Sequence, residues 1–151
     1  MTLGISRTLL VSLAIVVCGF ALHPRAKSAP ALPNPVLYLT QTETFQSNGK
    51  TFIRYRYDVF NKDQYPAEMF AASPELPPCG KNANASRTWV DFYDQSGRRL
   101  YGFCALGKPS DLGSIYFSLE EGQIPPSWVY IEMKDRKTNT VYKSNLAETS
   151  M

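Results

Sequence analysis

Residues 51–60, TFIRYRYDVF, alternate without a break, with Ile53, Tyr55, Tyr57 and Val59 on one side and Arg54, Arg56 and Asp58 on the other. A period of two belongs to a strand with one buried face, because successive side chains leave a pleated backbone in opposite directions. The same habit runs through most of the chain. VLYLTQTETF (Val36 to Phe45) precedes that strand, and Asn48-Gly49 between them supplies a hairpin turn that needs positive φ. TWVDFYD (Thr88 to Asp94), the turn QSG and RRLYGFC (Arg98 to Cys104) make a second hairpin. SIYFSL (Ser114 to Leu119) stands alone, and WVYIEMK (Trp128 to Lys134) and TVYKS (Thr140 to Ser144), joined by DRKTN, make a third hairpin. Sustained helical periodicity is absent. Seven short strands separated by turns predict an all-β, antiparallel two-sheet sandwich over residues 36–145.

The N-terminus reads differently. Arg7 precedes LLVSLAIVVCGFAL, an apolar run of 14 residues from Leu9 to Leu22. About 20 residues are needed to span a bilayer as a helix, so the run is the core of a signal peptide. Ala26 and Ser28 place small residues where a signal peptidase reads, giving a leader of 1–28 and a linker of 29–35. The chain is therefore expected to be secreted or periplasmic. The alternative is an anchor through residues 5–22, or acylation of Cys18, although Val17 stands where a lipobox wants a small residue.

Cleavage changes both charge and cysteine count. The chain has 16 Lys and Arg against 13 Asp and Glu, and Arg7, Arg25 and Lys27 lie in the leader, leaving 13 against 13. A domain without net charge has no general attraction for nucleic acid or anionic membrane. Two cysteines remain, Cys79 and Cys104, and an even count in an exported chain reads as a disulfide. Closing a loop of that length restricts the unfolded chain by about 3–4 kcal/mol in the chain-entropy view.

Cys79 follows Pro77-Pro78 within residues 61–87, NKDQYPAEMFAASPELPPCGKNANASR, where the alternation fails. Pro66 to Phe70 suits one helical turn with proline at its first position. The rest is a long proline-stiffened connection, which the disulfide ties to the end of the fourth strand. Tyr65, Met69, Phe70 and Leu76 are candidate contact residues on it; alternatively, Phe70 and Leu76 plug an open end of the core.

IPPSWVY puts Ile124, Pro126 and Tyr130 at the spacing L-x-P-x-x-x-Y, with Ile for Leu. It resembles the tyrosine corner of fibronectin type III and related immunoglobulin-like sandwiches, whose tyrosine hydroxyl bonds back to the backbone. The cysteine positions depart from the antibody pattern, since Cys79 lies in a loop, and this leaves the strand topology open. LPPCGKNANASRTWVDFYD and DRKTNTVYKSN are also similar to exported bacterial domains. That resemblance implies a location and carries no activity.

Little here suggests catalysis. His23 is the one histidine and lies in the leader, so a Cys/His metal site and a His-based triad are both unavailable. No metal, cofactor or catalytic residue is expected. Asp91 shares a strand side with Trp89 and Tyr93, which makes it the one acid among aromatics and the centre of a minor enzymatic reading. Two binding readings carry more weight. The first is a non-catalytic module for a protein or cell-envelope component. The second is a carbohydrate-binding accessory domain using Trp89 and Tyr93, which requires both rings to be open to solvent and roughly coplanar. Residues 146–151 are expected to fray.

Overall fold

A computed structural model describes residues 31–150. The leader, its cleavage site, Cys18 and residues 29–30 lie outside the described residues. Strands β1 (Leu37–Ser47), β2 (Lys50–Val59) and β5 (Ile115–Glu120) form a three-stranded sheet in the order β1-β2-β5. The second sheet orders β4 (Arg99–Phe103), β3 (Thr88–Asp94), β6 (Trp128–Asp135) and β7 (Thr140–Lys143) as β4-β3-β6-β7, with β8 (Ala147–Glu148) also on β6. Every pairing is antiparallel. This is the two-sheet β architecture that the alternation predicts, with one further strand.

Local chemistry sets the turns. Asn48 and Gly49 take φ of 50° and 74°, so Ser47 pairs with Lys50 and the hairpin register is fixed. At the β3–β4 turn the Asp94 carboxylate accepts the backbone N–H groups of Ser96 and Arg98. The Ser96 hydroxyl donates to it too, and these bonds to the charged form hold the Asp94 carboxyl at a pKa of about 2. At the β6–β7 turn Asp135 accepts from the Lys137 N–H and the Thr138 hydroxyl and pairs with Arg87.

Between the sheets, Tyr57, Phe92 and Phe117 meet with ring centroids 5.3–6.0 Å apart. Val59, Val90, Ile115, Ile131 and Met133 fill the space around them. Burying each such side chain is worth about 1.5–3 kcal/mol before chain entropy is charged against it. Cys79 and Cys104 are disulfide-bonded with Cα atoms 6.2 Å apart.

Four expectations need correction. The 61–87 connection is not an outward excursion. Ala72 bridges to Ser86, the Arg87 N–H donates to Ala71 O, and the Ser73 N–H donates to Ala85 O, so its two limbs form a short ladder of their own. The Ser86 N–H donates to Cys104 O and joins this clasp to β4 beside the disulfide. Residues 31–35 are no free linker either. Leu32 packs on the core, and the side chains of Tyr65 and Asn61 donate to Pro33 O and Asn34 O.

The C-terminal segment does not fray through residue 150. Its strand β8 pairs Ala147 with Val129, Ala147 and Thr149 are buried, and the Thr149 hydroxyl donates to Pro126 O. The break before it is bridged by Ser144, whose hydroxyl accepts the Ile131 N–H. The tyrosine corner is also missing. Ile124 is 92% exposed, and the Tyr130 ring stacks on Tyr93 at 5.3 Å. Among the described residues its hydroxyl makes no hydrogen bond to the backbone.

Candidate functional site

The connection's candidate residues point inward. Tyr65, Met69 and Phe70 are core residues, Phe70 with no exposed surface, and Leu76 is half-buried. Beyond the short ladder between its limbs the segment is held by apolar side chains, and three of them are spent on the core, so they plug it and present no contact surface. Burial also pushes the Tyr65 hydroxyl pKa up to about 12.

Trp89, Asp91 and Tyr93 do share the outer side of β3, as their parity predicts. They are not an open platform. The Arg136 guanidinium lies over the Trp89 ring at 3.9 Å, and Trp89 Nε1 is buried without a partner. Tyr93 stacks on Tyr130, and Lys143 Nζ sits 3.9 Å above the Tyr130 ring. Asp91 is paired with Arg99 at 2.7 Å across Gly102, where any Cβ would overlap both partners. This sheet face is already capped by its own cations.

The outer face of the three-stranded sheet is different. The parity that buries Tyr55 and Tyr57 sends Phe52, Arg54 and Arg56 outward, and on β5 it sends Tyr116 and Ser118 outward while Phe117 goes in. The hairpin register sets Phe45 opposite Phe52 and Glu43 opposite Arg54, and Arg54 faces Ser118 on β5. The Arg54 guanidinium is sandwiched between rings, 4.3 Å from Phe45 and 4.6 Å from Tyr116. Phe52 stacks on Phe45 at 5.5 Å, and Tyr101, from the edge of the second sheet, stacks on Tyr116 at 5.6 Å. The result is one row, Phe52–Phe45–Arg54–Tyr116–Tyr101, crossing three strands and reaching a fourth. Each cation–π or ring contact contributes about 0.5–1.5 kcal/mol, which makes the row firm.

Beside the row lies a cleft of about 250 Å³, lined also by Ser47 and Ser118. Its electrostatics are unbalanced. Both guanidiniums spend their hydrogen bonds on a single oxygen, Oε1 of Glu43, at 2.7–3.1 Å. Those bonds, Arg56 foremost, hold the Glu43 carboxyl pKa below its ordinary value, so the acid stays charged. Arg54 Nε and Ser118 Oγ are buried with no partner. Leaving a buried donor unpaired costs about 1–3 kcal/mol, an unusual cost on a surface that could have been closed with apolar residues.

Sequence reasoning placed Arg54 and Arg56 on the outer side but missed the row. The Asn48-Gly49 turn carries the signal. A two-residue hairpin loop sets opposite residues to equal distances from the turn, which brings Phe45 to Phe52 and Glu43 to Arg54. A second cleft, of about 330 Å³, lies between the start of β1 and residues 145–150. There Asn145 exchanges two side-chain bonds with the Leu37 backbone, and none of the buried unpaired side-chain atoms found among the described residues belongs to its lining. Among the described residues no group of three or more His, Cys, Asp or Glu is placed to hold a metal. No family model, curated protein or solved structure matches the chain.

Proposed function

We propose that this chain is an exported, non-catalytic binding module for a cell-envelope or protein component, and that it binds through the aromatic–arginine cleft. One observation carries the reading. The cleft joins stacked, half-open rings to a pair of arginines that share one carboxylate, on a sheet face that the sandwich itself does not cover. Recognition sites are built this way, with rigid rings for contact area and a few polar groups for orientation. The Cys79–Cys104 disulfide and the short apolar leader support export. Equal numbers of acidic and basic residues outside the leader weigh against a nucleic-acid partner.

The strand order, β1-β2-β5 facing β4-β3-β6-β7, agrees with a fibronectin type III-like sandwich, and the absent tyrosine corner speaks against close kinship. Sandwiches of this kind serve many roles, so the site and not the fold supports the function.

The test is capture from envelope extract by the tagged full chain, compared with its Tyr101→Ser and Trp128→Ser variants. Tyr101 is 43% exposed at the cleft and Trp128 is 40% exposed on β6, outside the cleft's lining, so both variants should stay folded. Loss of the captured component with Tyr101→Ser alone supports the reading. Equal capture by all three removes the cleft from it.

A further inference from the structure

We infer that the cleft takes a single carboxylate-bearing sugar ring, such as a uronic acid unit of an envelope polysaccharide. This rests on the binding role proposed for the cleft. Charge is the first argument. On this face Lys50 pairs with Glu120 and Asp58 with Lys62, while Arg54 and Arg56 share the single Glu43 carboxylate. The arginine pair thus carries one positive charge more than its carboxylate matches. A ligand carboxylate supplies the missing charge.

Lining chemistry is the second argument. Ser47, Tyr101 and Tyr116 bring three hydroxyl-bearing side chains beside the rings of Phe45 and Phe52. Flat rings beside rotatable hydroxyls suit a pyranose, whose C–H face stacks while its edge hydroxyls exchange hydrogen bonds. Size and position are the third. About 250 Å³ is room for one pyranose ring. The cleft sits on the sheet face over β2, which pairs on both sides, and an added peptide strand would use the free edge of β1 or β5 instead.

The experiment is calorimetric titration of the full chain with trigalacturonate, with galactotriose as neutral control and a glutamate-rich peptide as the alternative anion. The expected result is binding of trigalacturonate at least tenfold tighter than either control. Affinity should fall at least tenfold in Arg54→Gln and in Tyr101→Ser, with circular dichroism confirming that each variant is folded. Tyr101→Ser leaves the arginine in place, so it remains informative if Arg54→Gln unfolds. Equal affinity for the neutral sugar, preference for the peptide, or no binding of trigalacturonate would each overturn the inference. Should trigalacturonate fail while capture from extract still depends on Tyr101, the acidic-sugar inference falls and the binding role stands. Should the dependence on Tyr101 vanish as well, both fall.

Discussion

The 61–87 connection and the outer face of the small sheet exchange the roles their sequences suggest. The connection is irregular and rich in proline, yet Tyr65, Met69 and Phe70 are sealed in the core. The sheet face comes from a cleanly alternating strand, the kind usually left to water, yet it carries a stacked row with unpaired donors. Lack of regular structure is thus no measure of exposure. A segment short of regular structure must be fixed by something, and here apolar side chains, a small ladder and a disulfide fix it. An outward side chain on a strand, conversely, is not bound to be idle, because neighbouring strands can stack their outward rings around it.

The largest expected effect separates these two regions. Phe70→Ala removes a fully buried ring and leaves a cavity, so it should cost about 3–5 kcal/mol in urea denaturation. A loss under about 1 kcal/mol would mean that the connection is peripheral after all. Next comes the pin. Cys79→Ser with Cys104→Ser frees a loop of 25-residue separation and should cost about 3–4 kcal/mol, read from the shift in the denaturation midpoint.

The sheet face should answer more weakly. Arg54→Leu removes the cation from between two rings and leaves Glu43 with Arg56 alone, an expected loss of about 1–2 kcal/mol. No loss at all would show that the row is held open for a ligand at no benefit to the fold. A pH series sharpens the contrast further. Burial raises the Tyr65 hydroxyl pKa from 10.0 to about 12, so the contribution of its neutral form is complete below pH 10 and is lost as pH rises through about 12. Tyr65→Phe should flatten that alkaline loss, which stability measurements between pH 9 and about 12 would detect.

Much of the fold could be read from residues alone. The Thr88–Asp94 strand is found at its expected bounds, because its alternation is unbroken and a turn residue ends it. The Cys79–Cys104 bond follows from counting sulfurs outside the leader. β8 escaped notice since two residues carry no period, and their pairing is decided by the neighbouring edge of β6. The face row was half legible. Parity gave Arg54 its direction and the Asn48-Gly49 turn implied its opposite residue. Tyr116 and Tyr101 join it only through β2–β5 pairing, which brings Tyr116 to Arg54 from 62 positions away, and through the approach of the second sheet's edge. Trp89 and Tyr93 misled for the matching reason: Arg136, which covers Trp89, lies on a distant turn.

Hydroxyl-radical footprinting of the full chain, free and with the envelope fraction it captures, bears most directly on where it binds. Phe45, Tyr101 and Tyr116 should be oxidised in the free protein and protected by the captured component, with Tyr65 and Phe70 unmodified throughout. Oxidation of Tyr65 and Phe70 in the free protein and their protection on capture, with Tyr101 unchanged, would contradict the account.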